Sequence, residues 1–516
     1  MKRLLYFTFI FITLVFWSSC RNDFEFTPST GQLEFSKDTV YLDTVFTNIG
    51  SSTYNLKVYN RSNQDILIPS IQLGLADNSE YRLNVDGMAG TSFQDVELLA
   101  KDSMYVFIET TINIDNLPNA NNAFLYTDFI AFGDGTNTQK VELVTLVKDA
   151  VFIYPDKDEA TGIIETLTLN IDGEPIDTNI QGRFLESEEL TFNNEKPYVI
   201  YGYAAVPEGE TLTIDAGSRI HFHANSGLIV TADASLQVNG AFSDDSDLLE
   251  NEVIFEGDRL EPNFSDVPGQ WGTIWLFDGS INNSFKYTTI KNATVGILSD
   301  GDQDDINGKL TITNSQIYNS SNFGIWGRAT SISATNLVIN NSGQSSFAGT
   351  LGGKYSFTHC TLANYWNTSF RQFPTVLLNN FVIGEDQTLI NDLTEASFNN
   401  CIIYGNKNPE LLIEKEVGTE FNFKFTNCLI RFDNSNGNFS QPEYDFNNSS
   451  LYENCLFNSD PNFLDPFNNQ MIIGEESGAI NMGNSIFANQ VPTDILNQDR
   501  TAAPDLGAYQ HIIFEN

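Results

Sequence analysis

The residues best placed for chemistry form one acidic run, Asp300-Gly-Asp-Gln-Asp-Asp-Ile-Asn-Gly308. Carboxylates at Asp300, Asp302 and Asp304 alternate as they do in calcium loops, where a hard cation draws several oxygens from one turn. Asp305 stands where such loops carry Gly, and Thr311 where they carry a chelating Glu. Asp300, Asp302, Asp304 and Asp305 are thus candidate calcium ligands, and calcium is the one cofactor the sequence suggests. The competing reading is a solvated acidic turn. Elsewhere His221 and His223 flank Phe222, so both point outward from one strand and could meet a metal. Trp271, Trp275, Trp326, Trp366, Tyr365 and Phe370 could stack on sugar rings, although packing explains most buried aromatics. Trp366, Phe370 and Arg371 lie beside a long insertion, where binding residues tend to project from a scaffold, and are the candidate glycan contacts. Nucleophilic triads, phosphate loops and dinucleotide fingerprints find no match, and the chain has only 4 His.

Charge narrows the partners. The 516 residues include 67 Asp+Glu against 26 Lys+Arg, a formal −41. Such a field repels polyanions, so nucleic acid is excluded as a partner. The hydrophobic fraction of 41% supports a sizeable core.

The first residues read as an export signal. Lys2 and Arg3 precede an apolar run, Leu4 to Phe16, too short to span a bilayer. Trp17-Ser-Ser-Cys20 resembles the bacterial lipobox, with Trp17 departing from the usual Leu. The resemblance implies cleavage before Cys20, lipidation of its thiol and attachment to a membrane through that lipid. The polar Arg21-Asn-Asp-Phe-Glu25 resembles the tether of Bacteroidota-type lipoproteins and implies the outer membrane, with exposure at the cell surface. Residues 1–19 are then a signal peptide and 20–30 a tether.

Residues 31–150 read as an antiparallel β-sandwich. Alternating runs at Val40–Phe46, Tyr54–Tyr59, Met104–Thr110 and Val141–Val147 are separated by turns such as Asn48-Ile-Gly50 and Gly133-Asp-Gly-Thr136. The stretch TVFTNIGSSTYNLKVYNRSNQDILIPSIQL resembles immunoglobulin-like domains of bacterial surface proteins. Residues 151–195 read as a connecting region.

Internal repeats account for 196–516. Leu212, Ile214, Ile220 and Phe222 fall on Leu228, Val230, Leu236 and Val238 at an offset of sixteen. A second series starts at Tyr287, Asn314, Asn336, His359, Asn400, Asn427 and Asn454, with steps of 27, 22, 23, 41, 27 and 27. Each unit ends on an apolar residue three positions later. Regular steps stack like residues, so Cys401, Cys428 and Cys455 are expected as an inward ladder of free thiols beside Asn400, Asn427 and Asn454. The step of 41 holds an excursion from Phe370 to Leu393.

This pattern resembles the right-handed parallel β-helix, or pectate-lyase-like, family. VPEGETLTIDAGSRIHF with SGLIVTADASLQVNG is similar to its opening rungs, and VPGQWGTIWL to its Trp-Gly turn. Asp460-Pro-Asn-Phe-Leu-Asp-Pro466, Asp499-Arg500 and Pro504-Asp-Leu-Gly-Ala-Tyr509 resemble its closing segment, which is expected to cap the last rung. The resemblance implies an all-β chain: a right-handed parallel β-helix preceded by an immunoglobulin-like sandwich. It also implies carbohydrate partners. Lyases of this fold pair calcium with a basic residue, for which Lys286, Lys291, Lys309, Arg328, Lys354 and Arg371 are candidates by position. Three functions stand open, because the fold hosts all three, the last of them a purely structural envelope protein. One is non-catalytic display, adhesion or polysaccharide binding at the cell surface. The alternative is a polysaccharide-degrading lyase or glycoside hydrolase.

Overall fold

The computed structural model describes residues 25–117, 123–171, 173–245, 248–301, 308–384 and 387–514. Cys20, and with it the leader and lipidation site, lies outside the described residues, as do Asp302, Asp304 and Asp305. The chain divides into two units, Met1–Asp149 and Ala150–Asn516. Among the described residues no helix is long and apolar enough to cross a membrane.

The first unit is an immunoglobulin-like sandwich. One sheet joins Thr27–Pro28, Ile66–Leu73, Ala123–Phe132, Gln139–Lys148 and Thr39–Phe46, with Ser92–Leu98 alongside Ile66–Leu73. The other joins Glu34–Phe35, Tyr54–Tyr59, Ser103–Thr110, Tyr81–Val85 and Met88–Gly90. Strict alternation buries Val40, Leu42, Leu56, Val58, Val106, Ile108, Val141 and Leu143 between the sheets. Most pairings are antiparallel, but Thr39–Phe46 joins Gln139–Lys148 in parallel.

The second unit is a right-handed parallel β-helix; among the described residues 27 strands, one hairpin strand included, belong to one continuous sheet. Through the first turns, from Glu174–Phe184 to Leu310–Ser320, each strand bonds to the third one after it almost without exception, so the coil has three faces. Register sets the core. Ile290, Ile317, Ile339, Leu362, Ile403, Ile430 and Phe457 stand in one column, the same residues that end the seven sequence units. A second column runs through Phe357, Phe398, Phe425 and Tyr452. Its rings lie 5.0, 4.8 and 5.5 Å apart and within 13° of parallel. Strands about 4.8 Å apart dictate that stacking distance.

Cys360, Cys401, Cys428 and Cys455 are all free thiols, the first three fully buried. Each thiol points to a carbonyl one turn back, as in Cys428 Sγ to Phe398 O at 3.3 Å and Cys455 Sγ to Phe425 O at 3.4 Å. Burial pushes the Cys360 and Cys428 thiols up, which keeps them protonated. The residue before each cysteine turns a corner. Tyr287, Asn314, Asn336, His359, Asn400, Asn427 and Asn454 all have φ between 45° and 54°. Asn tolerates this left-handed conformation better than other side chains, which explains its recurrence.

Four expectations are corrected. Residues 151–195 are not a connector: Val151–Ile153 pairs with Tyr198–Ile200, and the end of Glu174–Phe184 with Tyr203–Val206. The solenoid therefore begins at once, and an antiparallel hairpin, Thr166–Ile171 with Glu174–Phe184, conceals its first turn. The offset of sixteen is two legs of an eight-residue corner-to-corner step. Leu212 pairs with Leu236 and Ile214 with Val238, twenty-four residues on, because a full turn has three legs. Trp271 is not in a turn. It begins the strand Trp271–Leu276 and stacks in the lumen on Phe222 at 4.3 Å.

The fourth correction concerns the closing segment, which does not cap the end. It runs back along one face as a strap. Met471, Ile495, Ala508 and Tyr509 cover Val338 and Ala363, while Ile473, Ala479 and Leu506 cover Ile402, Tyr404 and Leu429. The left-handed corners supply its fastenings. Asn336 accepts from Arg500 Nη2 at 3.0 Å, Asn400 exchanges two bonds with Asn484, and Asn427 donates to Met482 O at 2.9 Å. Gly507 must be glycine: its φ is +88°, and a Cβ would lie 2.6 Å from Thr361 Oγ1. The end of the lumen is closed instead by the 432–451 loop, whose Phe439, Tyr444 and Phe446 pack on Phe432. The Tyr444 hydroxyl accepts from Ile413 N and donates to Ile413 O, which satisfies both backbone groups of that residue on the Leu411–Glu414 edge.

Candidate functional site

The candidate site lies on the face formed by Tyr203–Val206, Gly227–Val230, Trp271–Leu276, Ala293–Asp300 and their successors. Its outward column reads Ile229, Trp275, Leu298, Trp326, Ala348, Leu377, Leu412. The first hairpin covers the beginning of this column, placing Leu167, Leu169 and Ile180 over Ala205 and Ile229, with Trp275 and Phe277 packed against the same cluster. From Trp275 onward both tryptophans are half-buried, and Phe323 and Phe373 flank the strip.

A polar network holds the two indoles. Trp275 Nε1 donates to Asp300 Oδ2 at 2.7 Å. Arg328 closes a bidentate pair with both Asp300 oxygens. The Arg328 guanidinium then lies over the Trp326 ring, 5.0 Å from its centroid. Trp326 Nε1 donates to Thr350 Oγ1 at 3.0 Å, and Phe323 packs at 5.0 Å. Lys309 is fully buried beneath, its ammonium on Phe277 O at 2.7 Å and on Asp300 O. Trp275 and Trp326 sit two turns apart on one face, a separation of about 9.5 Å from strand spacing. The product is a rigid pair of aromatic platforms along the helix axis, with an internally neutralised ion pair beside them.

The sequence candidates distribute unevenly over this site. Asp300 belongs to it, but with both oxygens engaged by Arg328 and Trp275 it is a positioning carboxylate rather than a free calcium ligand. Among the described residues no three His, Cys, Asp or Glu side chains cluster as a metal site. Arg371 lies elsewhere and is 1% exposed, its guanidinium paired with buried Glu410 at 2.7 Å, so it is a core ion pair and presents nothing to a glycan. Trp366 is 6% exposed and donates to Ser369 Oγ, leaving little ring face free. Phe370 is 84% exposed, with Lys407 Nζ 4.4 Å from its centroid. Tyr365 packs edge-on to Phe463 and Phe467 of the strap.

The histidines also separate. His221 is buried, its Nδ1 3.2 Å from Gly257 O and 3.7 Å from Glu256, so it does not point into solvent beside His223. Burial would raise the Glu256 carboxyl, but His221, Lys291 and Arg219 around it win and hold it low. His223 pairs with Asp258 at 2.8 Å, a contact that raises its pKa. Of the basic candidates, Lys291 is tied to Glu256 at 2.7 Å, while Lys286 and Lys354 are exposed.

The sequence did not reveal that Asp300 and Arg328 are partners, nor that Leu298 bridges the indoles. One signal was present: Trp275, Leu298 and Trp326 step by 23 and 28 residues, the length of a turn.

No protein-family model matches the chain, and no curated protein matches it. Solved structures are similar at low scores. The catalytic unit of a thermostable GH87 α-1,3-glucanase from Streptomyces thermodiastaticus strain HF3-3 is 9% identical, over 73% of this chain and 79% of that one, with a TM-score of 0.18. A GH87 α-1,3-glucanase catalytic domain in complex with nigerose is 11% identical, over 75% and 81%, with a TM-score of 0.17. The E. coli chaperone DraB is 13% identical over 24% of this chain, which spans 58% of the chaperone, with a TM-score of 0.16. At these scores the architecture rests on the strand pairing itself, and none of the likenesses bears on activity.

Proposed function

We propose that this protein is a lipid-anchored envelope protein, exposed at the cell surface, that binds an extended neutral polysaccharide along its β-helix without cleaving it. The observation carrying this reading is the Trp275–Leu298–Trp326 column with its Asp300–Arg328 brace. Sugar rings have apolar faces that stack on flat aromatics. The two-turn spacing of the indoles approximates the length of a disaccharide in an extended chain. The neighbouring ion pair is already neutralised, which favours an uncharged polymer over a polyanion. Asp300 is saturated by its partners, so it supports orientation of the indoles and not proton transfer. The lipid anchor and the outer-membrane location rest on Cys20 and its flanking residues.

The test is a polysaccharide array probed with the chain lacking residues 1–20, with and without chelator, alongside Trp326→Ala. Binding to a neutral polymer, weakened about tenfold by the substitution, which corresponds to about 1.4 kcal/mol, is expected. Retention in chelator is expected too, since both Asp300 oxygens are already engaged by Trp275 and Arg328. No binding to any polymer would refute the reading, and release of shorter products would replace it with the hydrolytic alternative. For the anchor, labelling with a lipid precursor is expected and should vanish in Cys20→Ala.

A further inference from the structure

The first unit carries an exposed aromatic surface that the proposed flank does not use. On the five-stranded sheet, residues pointing away from the core alternate with buried Leu56, Val58, Val106 and Ile108. Two of them, Tyr105 and Phe107, are 47% and 42% exposed. Two large rings on open sheet are costly to leave in water without a use. These two do not splay apart. Their centroids lie 6.0 Å apart with planes 19° from parallel, so they form one continuous shelf.

Polar groups border the shelf in fixed register. Lys57 stands opposite Tyr105, and Asn55 and Asn84 stand on either side of Phe107. Neither amide side chain is hydrogen-bonded within the described chain, which leaves donors and acceptors on both sides of the ring. The Lys57 ammonium sits between two tyrosines, 5.3 Å from the Tyr59 centroid and 5.2 Å from that of Tyr105. Among the described residues it meets no carboxylate. Its neighbours differ, since Arg61 is tied to Glu34 at 3.1 Å and Arg82 lies 3.9 Å from Glu109. A half-buried cation without a counter-ion, in a chain with 67 acidic residues, is the part of this face that asks for an anion.

We infer that this sheet face binds an acidic sugar unit, its ring stacked on Tyr105 and Phe107 and its carboxylate on Lys57. The amides of Asn55 and Asn84 lie within reach of its hydroxyls. The net charge of −41 opposes a dense polyanion, so the fitting partner carries isolated uronates on a neutral backbone. Stacking supplies contact area, and one charge-assisted bond selects the acid.

The experiment is titration of the chain lacking residues 1–20 with glucuronoxylan and with the same polymer after carboxyl reduction. Wild type is expected to bind the acidic polymer at least fivefold more tightly than the reduced one. Lys57→Gln should erase that preference, and Phe107→Ala should weaken both. Both side chains point to solvent, and unchanged unfolding midpoints verify the fold. Trp326→Ala should leave the acid preference intact, which separates this site from the β-helix flank. Equal binding of both polymers by wild type, or a preference surviving in Lys57→Gln, overturns the inference. So does binding to anionic phospholipid vesicles in place of glucuronoxylan.

Discussion

His359 offers a sharp test of how the corners of the solenoid are built. In the rungs around it the equivalent corner is Asn314, Asn336, Asn400, Asn427 and Asn454. His359 is fully buried, its Nε2 2.9 Å from Asn400 Nδ2, while its Nδ1 meets no partner. Burial first, and the Arg500 guanidinium second, push its pKa from 6.5 down to about 2. The folded chain therefore keeps this ring neutral where the unfolded chain would protonate it. Above the unfolded pKa the group is neutral in both states and contributes nothing to pH dependence. As pH falls below 6.5 the unfolded state gains a proton the folded state refuses, and stability declines. Each unit of pH costs about 1.4 kcal/mol in that window, so about 2 kcal/mol is lost between pH 7 and 5 from this residue alone. His359→Asn installs the side chain its neighbouring rungs use and removes the proton acceptor. Urea unfolding of both proteins at several pH values gives the difference directly, since other titrating groups are common to both. The stability gap should shift in favour of the variant by about 2 kcal/mol from pH 7 to 5. Parallel curves across that range would refute the account of a buried, cation-facing imidazole.

Other consequences are equally measurable. Arg500→Met removes bonds to Asn336, Gly507 O and Ala508 O and should loosen the strap, seen as faster proteolysis within 470–510 and a loss of about 3 kcal/mol. Glu410→Gln strands the buried Arg371 guanidinium and should destabilise the chain by about 3–5 kcal/mol in the same urea assay, a larger effect than any exposed pair would show. Phe425→Ala opens a cavity in the ring column and should cost about 3–5 kcal/mol. A thiol reagent should leave Cys360, Cys401 and Cys428 unmodified in the native chain and label them, with Cys455, after denaturation without reductant.

Much of the solenoid was legible because register is written as spacing. The column from Ile290 to Phe457 follows from steps of 22 to 27 with one of 41, and left-handed corners favour Asn, which fills five of the seven. The early turns misled for a physical reason. Legs of equal length make two-thirds of a turn look like a whole one, so Leu212 matched Leu228 in sequence while bonding beside Leu236. The hairpin over the first turn hid residues 151–195, since its antiparallel strands carry no solenoid period. Arg371 looked like a loop residue because the sequence does not show Glu410, thirty-nine positions later, folding onto it. Asp300 looked like an ion ligand because its neighbours in sequence are acidic, while its neighbours in space are Trp275 and Arg328. The aromatic shelf of Tyr105 and Phe107 was visible only as alternation, and which alternate face meets solvent is decided by the opposing sheet.

The strap also fixes the order in which this molecule can become finished. Its contacts reach from Arg500 back 164 residues to Asn336 and from Asn469 back 150 residues to Asn319. Turns of the solenoid close locally and can form as the chain emerges. The face bearing Val338, Ala363, Ile402 and Leu429 stays uncovered until residues 471–509 arrive. Contacts of such sequence separation form late, after their loop entropy is met. A chain interrupted before Tyr509 would thus own a complete coil with one greasy side exposed, a species suited to capture by holdases or proteases. Burial of that face thus separates chains that carry residues 471–509 from chains that lack them.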